Sequence, residues 1–371
     1  MALFSKQIQP QITGINPYVP GKPISELKRE LGLSRVSKLA SNENPLGSSP
    51  KAKQAIQNMI NDVASYPDGS AFELKKSLAK HLSVAESCIS VGSGSNELLE
   101  LVARVFAAKD DDIIFSQYAF AVYPISAQAV GANSVCVPAL GWSHDLNAML
   151  KSITEQTKII YIANPNNPTG TLISVAEWDS FIKQVPEKVI VVLDEAYFEF
   201  VEKGKTVNGL DYLENHSNLL VSRTFSKAYG LASLRIGYMV GCAELIGYLE
   251  KLRMPFNVNQ FAQVAASAAL EDTFFVREVV KNNKLEMEKI TKFFKQIQLE
   301  YIPSYGNFVC VKLGKNASEI NNKLLEQGVI VRPVANYGMP EYLRISIGSA
   351  QENQHFMQAL SLILREENAK P

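Results

Sequence analysis

SRTFSKAYGLASLRIG, residues 222–237, follows the apolar run NLLV and sets one lysine among side chains that suit a phosphate. Thr224 and Ser226 flank Lys227, and Arg235 follows eight positions later. An ordinary surface lysine needs no such neighbours. A lysine that carries an aldehyde cofactor with a phosphate tail needs hydroxyls and a guanidinium nearby to hold the dianion. In isolation the stretch also reads as a polar loop with a solvated lysine, so the rest of the chain has to decide between the two.

From about residue 90 the chain alternates short apolar runs with stretches of helical period, the pattern of an α/β fold with a parallel sheet covered by helices on both faces. The runs 112–115, 158–163, 188–193 and 218–221 are nearly continuous in Ile, Val and Leu, as strands buried on both sides are. Each leads into residues capable of chemistry: Tyr118, Phe120 and Tyr123; ANPNNPTG, 163–170; DEAY, 194–197; and the lysine segment. Ligands of open α/β sheets sit at the carboxyl ends of the strands, so four such ends converge on one pocket. Residues 1–40 differ: they are irregular, with NPYVPGKP preceding an amphipathic helix at ISELKRELG. After about residue 270 come a long charged helical stretch, a strand at GNFVCVKL, a helix at SEINNKLLEQG and strands at VIVRPV and LRISIG. This second alternation predicts a smaller α/β unit built from both chain ends.

The 371 residues carry 37 Lys and Arg against 37 Asp and Glu, so no long-range field favours nucleic acid or an anionic membrane. Small-molecule chemistry is the better expectation, and a 46% hydrophobic content supplies large cores. Cys88, Cys136, Cys242 and Cys310 form no CxxC pair and read as buried apolar residues in a reducing compartment. His81, His144, His216 and His355 lie apart with no HExxH, which suits surface or hydrogen-bonded structural histidines and gives no metal site. The amino-terminal MALFSKQIQPQITG has neither a long apolar run nor a small-residue cleavage site, and the expected location is the cytoplasm.

The aldehyde cofactor that these features suit is pyridoxal 5'-phosphate. Its pyridine ring withdraws electrons well only while the ring nitrogen stays protonated, and a buried carboxylate is the simplest device for that. Asp194, directly after VIVVL, is placed to provide it; the other possibility is an acid that caps the next helix. Tyr197 could donate to the phenolic oxygen of the same ring, while Glu195 has no evident role. Asn164, Asn166 and Asn167 either close local turns or point one amide at that oxygen. GSGSNELLELVARVF opens a strongly periodic helix, so the N–H groups of Gly94 and Ser95 face outward where a phosphate is favoured. The segment is neither GxGxxG nor a P-loop. Phe120 either stacks on the ring or is core. Arg332 and Arg344, each inside an apolar strand-like run with Glu341 the one acid nearby, suit an anionic ligand.

In their order and spacing, GSGS with its helix, the aromatic segment, NPNNPTG, DEAY and SKAYGLASLRIG resemble the fold-type I pyridoxal-phosphate aminotransferases over nearly the whole chain. Within that superfamily, SNENPLG at 41–47, YPDGS at 66–70 and VRPVANYGMPEYLRISIG at 331–348 are similar to the histidinol-phosphate aminotransferase family. The resemblance implies a large domain, 41–270, with a mostly parallel seven-stranded sheet sandwiched by helices, and a smaller α/β domain from 1–40 and 271–371. It makes Lys227 the lysine joined to the cofactor, Asp194 the acid on the ring nitrogen, and Asn167 and Tyr197 the pair on the phenolic oxygen. Gly94, Ser95, Thr224, Ser226 and Arg235 become the phosphate cradle. Phe120 stands where many relatives have tyrosine, which keeps stacking but loses a hydroxyl contact. Tyr66 corresponds to a tyrosine that reaches the cofactor phosphate of the neighbouring subunit, so a homodimer is implied. Tyr18, Asn42, Arg332 and Arg344 fall to the substrate, with Arg344 serving the anionic end of both partners. The implied reaction moves the amino group of histidinol phosphate to 2-oxoglutarate, giving glutamate; an aromatic amino acid aminotransferase is the alternative.

Overall fold

The computed structural model describes residues 4, 7–17 and 21–368. Its first strand, β1 (Ser37–Lys38), is two residues long and pairs near the other end of the chain. Seven strands then build the larger sheet: β2 (Ile89–Gly92), β3 (Asp112–Ser116), β4 (Asn133–Val137), β5 (Thr157–Ala163), β6 (Ile190–Asp194), β7 (Leu219–Thr224) and β8 (Gly237–Gly241). Their order across the sheet is β2-β8-β7-β6-β5-β3-β4. β8 alone runs against the others, being antiparallel to both β2 and β7. The mostly parallel seven-stranded sheet is thus present, and its central strands begin and end within a few residues of the apolar runs.

Burial on both faces makes those runs continuous. In β5, Ile159, Tyr161 and Ala163 pack into one apolar cluster while Ile160 and Ile162 pack into another; in β6, Ile190 and Val192 go one way, Val191 and Leu193 the other. This is the period of two that a pleated strand imposes. On the first face lies the helix Ser95–Phe106, burying Leu98, Leu99, Leu101 and Val102. On the second lies Val175–Ile182, begun by a capping box between Ser174 and Glu177 and burying Trp178 and Phe181.

A four-stranded antiparallel sheet follows, formed by β9 (Tyr301–Ile302), β10 (Phe308–Lys312), β12 (Arg332–Pro333) and β13 (Tyr342–Ser346), in the order β12-β13-β10-β9. VIVRPV, expected as one strand, is split at Val331: β11 (Val329–Ile330) pairs in parallel with β1, and β12 joins β13. Leu39, beside β1, sits in the same apolar cluster as Ile290, Val309, Leu343 and Phe356. The long helix Thr273–Gln296 was expected; the helix Ala350–Asn368 was not.

All four cysteines are free, but only Cys310 is buried, contrary to the expectation of four buried thiols. Cys136 is exposed because β4 is the sheet's edge strand, with three of its five residues open to solvent. Among the described residues no helix is long and apolar enough to cross a membrane.

One close approach joins the lysine segment to SNENPLG. Gly230 has φ +70°, and a Cβ placed on it would lie 1.9 Å from the carbonyl oxygen of Gly47. Gly230→Ala should therefore lower the unfolding free energy by about 2 kcal/mol or more, read as a reduced urea midpoint, whereas an unchanged midpoint would show that the two loops separate easily.

Candidate active site

The last residues of β5, β6 and β7, Ala163, Asp194 and Thr224, all line one cavity of about 700 Å³. Strand parity puts them on the same face: Asp194 follows Ile190 and Val192 at steps of two, as Thr224 follows Leu220 and Ser222. The convergence of strand ends expected from the sequence is realised here.

Lys227 lies in the turn after β7, partly buried, with Nζ donating to the carbonyl of Ser41 at 3.1 Å and standing 5.8 Å from the centre of the Tyr197 ring. Burial, then the charge of Arg344 and more weakly that of Arg235, pushes its amine down to about 8, against the opposing pull of Glu43 and Asp194. Asp194 is 4% exposed. Its Oδ2 accepts from the Tyr123 hydroxyl at 2.8 Å, and Tyr123 is held by stacking on Tyr161 at 4.7 Å. Burial pushes the Asp194 carboxyl up to about 6, although the Tyr123 hydrogen bond opposes this. Its Oδ1 is buried and has no partner. Asp194 is not a helix cap, since the short turn Phe198–Phe200 has Tyr197 at that position.

Gly94 precedes the helix Ser95–Phe106 with φ +81°, and a Cβ there would lie 2.3 Å from Nη2 of Arg235. The approach leaves the first amides of the helix, the Ser226 hydroxyl and the Arg235 guanidinium close together, with Arg235 Nη1 donating to Ser226 Oγ at 3.4 Å. Thr224 Oγ1 accepts from the Ser226 amide at 3.1 Å and fixes the turn. A helix start beside a guanidinium is suited to a dianion. The cavity thus fits pyridoxal phosphate on two observations: an orphaned buried carboxylate oxygen where a protonated ring nitrogen would sit, and an anion cradle that any side chain on Gly94 would fill.

Across the cavity, Tyr197 Oη accepts from Asn42 Nδ2 at 2.9 Å. Burial pushes the Tyr197 phenol up to about 12. Asn167 Oδ1 accepts from Arg344 Nη1 at 2.6 Å, and Arg344 Nη2 donates to the Ala40 carbonyl at 2.8 Å. Arg344 is buried and has no carboxylate against it among the described residues, while its Nε lacks a hydrogen-bond partner. Phe120, half-buried, lines the same cavity and meets Tyr123 edge-on at 6.0 Å. Arg332 faces Arg344 directly across the β12–β13 pair but lines an adjoining cavity of about 960 Å³, which shares Ile125 and Tyr337 with the first. Tyr66 is 82% exposed and stacks on Phe256 at 4.8 Å, away from the cavity of its own chain. Tyr18 lies outside the described residues.

Residues 34–360 match the family described as aminotransferase class I and II. "Histidinol-phosphate aminotransferase 2" of Hydrogenovibrio crunogenus is 59% identical over 370 residues, covering 100% of this chain and 99% of that one. A protein of the same name from Pseudomonas fluorescens is 51% identical over 363 residues, 97% and 98% of the two chains. The crystal structure of histidinol-phosphate aminotransferase from Sinorhizobium meliloti in complex with pyridoxal-5'-phosphate superposes with a TM-score of 0.90 at 29% identity, covering 99% of each chain. The chain belongs to the class I and II aminotransferases and, within that class, to the histidinol-phosphate aminotransferases.

Two features of the site region escaped the sequence. Tyr123 was legible as one of the aromatics after β3 but not as the partner of Asp194. Glu195, without a role in the sequence, forms a buried ion pair with Arg223, Oε2 to Nη2 at 2.7 Å, while its Oε1 accepts from the Gly209 amide at 2.7 Å. The register that sets Asp194 beside Ser222 brings the next residues together on the opposite face, so the pair follows once β6 and β7 are known to be neighbours. Removing one partner strands the other charge without water. Arg223→Met should cost about 3 kcal/mol in urea unfolding, and the double change with Glu195→Met should recover part of it; additive losses would mean that the pair contributes nothing as a pair.

Proposed function

We propose that the protein transfers the amino group of L-histidinol phosphate to 2-oxoglutarate, yielding imidazole acetol phosphate and L-glutamate in histidine biosynthesis, with pyridoxal 5'-phosphate in the 700 Å³ cavity. The observation that carries the cofactor assignment is the buried, unpartnered Oδ1 of Asp194 in a cavity that also holds an amine and an anion cradle. The substrate assignment leans on the relatives at 59% and 51% identity, which bear that name.

When bound, pyridoxal phosphate supplies an aldehyde that captures the amino group and a protonated ring that takes up the electron pair left on the substrate carbon. In this proposal Asp194 Oδ1 accepts the ring N–H and keeps that proton in place. Tyr197 and Asn167 hold the phenolic oxygen, and Phe120 covers one face of the ring. Gly94, Ser95, Thr224, Ser226 and Arg235 bind the phosphate. Lys227 Nζ would hold the aldehyde carbon and, as a free amine, would move the proton released from the amino-bearing carbon of the substrate. Arg344 binds the anionic end of either substrate, with Tyr18, Arg332 and Asn42 around it. Arg332 and Arg344 stand opposite each other on paired strands.

The same proposal includes a homodimer in which Tyr66 reaches the neighbouring subunit's cofactor phosphate. Its exposed ring stacks on Phe256, and Ile60, Val63 and Met254, close to those two in sequence, are also more than half exposed; apolar surface of that kind favours a partner copy. It also includes a cytoplasmic location, which the free cysteines suit, and a division into a cofactor-binding domain of 41–270 and a smaller one of 1–40 and 271–371, which the separate apolar clusters suit.

The deciding experiment compares kcat/KM for histidinol phosphate, phenylalanine and tyrosine with 2-oxoglutarate as acceptor. Histidinol phosphate should lead by about tenfold or more, because its phosphate brings Arg344 a further charge and a further oxygen that a carboxylate lacks; the reverse order would make the protein an aromatic amino acid aminotransferase. The Lys227 amine gives a second expectation. Only its neutral form attacks an aldehyde, so the rate at which cofactor-free protein combines with pyridoxal phosphate should rise with pH through a midpoint near 8. A midpoint at the ordinary lysine value of about 10.4 would mean that the amine is not held as described.

A further inference from the structure

Asn42 is the one non-glycine residue of SNENPLG with a left-handed backbone, φ 54°, and it is 1% exposed. Asparagine tolerates that conformation better than most side chains, but it still requires contacts to hold it. Three of them come from the smaller sheet and the turn before it. The Asn42 amide N–H donates to Ser346 Oγ at 2.8 Å, Ser346 Oγ donates to Asn42 Oδ1 at 2.8 Å, and Asn307 Nδ2 donates to the Asn42 carbonyl at 3.0 Å. Ser346 and Asn307 are 3% and 2% exposed, so water does not compete.

The hydroxyl of Ser346 has one hydrogen. With the amide reversed, Oγ would accept both Asn42 N–H groups and its own buried hydrogen would lose its acceptor; with that hydrogen on Oδ1, Nδ2 turns the other way and meets Tyr197 Oη at 2.9 Å. With the amide reversed, Oδ1 would face the phenol and consume its proton. In the orientation that Ser346 imposes, Tyr197 is an acceptor toward Asn42, and its own hydrogen remains for the cavity that it lines.

We infer that Ser346 is a positioning residue, which fixes the Asn42 amide so that Tyr197 presents its O–H to the phenolic oxygen of the cofactor. The inference rests on the cofactor site proposed above. It gives β13 a second duty: Arg344 and Ser346, two residues apart on the same strand face, reach the Asn167 and Tyr197 sides of that oxygen respectively.

The test is a pH titration of the visible absorbance of the bound cofactor. A donor on the phenolic oxygen favours its anion, so losing that donor should move the titration to higher pH by about one unit. Ser346→Ala should show this shift, Ser346→Thr should not, and Tyr197→Phe should show it in full. In the Tyr197→Phe background Ser346→Ala should add nothing. Asn42→Gly, which keeps the left-handed backbone and leaves β13 untouched, should reproduce the shift should Ser346→Ala fold poorly. A shift in Tyr197→Phe with none in Ser346→Ala and Asn42→Gly overturns the positioning role while leaving the site intact. Equal shifts from Ser346→Ala with and without the tyrosine overturn it as well, by making the effect a general loosening. No shift in Tyr197→Phe removes Tyr197 from the cofactor, and the inference falls together with that part of the site.

Discussion

The parity of one strand decides which of two adjacent acids reaches the cavity. In β6 all five residues are buried, and Asp194 at its end shares a face with Ile190 and Val192, whereas Glu195 turns to the face of Val191 and Leu193. A slip of one residue would exchange them, bringing the glutamate to the cavity and the aspartate to Arg223. The register with β5 and β7 forbids that slip, because Ala163 and Ser222 flank Asp194 at the same level. A carboxyl so placed loses its hydration and is pushed up to about 6, and only one of its oxygens is satisfied, by Tyr123. The unpartnered carboxylate oxygen that faces the cavity is therefore a consequence of sheet register, and the Glu195–Arg223 pair beneath it is the same register seen from the other side.

The cavity needs a second wall, which the larger sheet cannot supply. Residues 40–47 and β13 provide it. Ser41 receives the Lys227 amine, Asn44 Nδ2 donates to the carbonyl of Ala228 at 2.9 Å, and Gly47 packs against Gly230 too closely for any side chain. Arg344 in turn donates to the carbonyl of Ala40. The segment that follows β1 is thus gripped between the lysine turn and the smaller sheet. Both chain ends shape a site whose chemistry comes from the middle of the chain.

What could be read in the sequence follows the same division. The central strands were legible because burial on both faces leaves uninterrupted apolar runs, and Lys227, Asp194 and Arg344 were legible because polar groups at or inside such runs need a reason to be there. β4 was missed because an edge strand open to water, NSVCV, lacks that signal. The reversed direction of β8 was missed because periodicity carries no direction; it follows from a connection that holds the lysine turn and the short 3-10 turn Ala232–Leu234 in place of a crossover helix. The Asn42–Ser346 contacts, 304 positions apart in sequence, and the separation of Arg332 from Arg344 into adjoining cavities depend on how the two sheets meet, which no local pattern encodes.

The charges around Lys227 then tie the two ends of the cavity together. Arg344 on one side and Arg235 on the other both lower the proton affinity of the amine, with Arg344 the stronger. In the proposed site, a phosphate dianion beside Arg235 would oppose the weaker effect, while burial remains the largest cause of the lowered affinity. In the same proposal, an anionic substrate at Arg344 would offset the stronger charge, so its arrival would make Lys227 a better proton acceptor while burial still holds the amine below its ordinary value. By linkage the reverse also holds, since a protonated Lys227 sharpens the site's preference for an anion. In the proposed function, the guanidinium that binds the substrate's anionic end would also tune the base that acts on it.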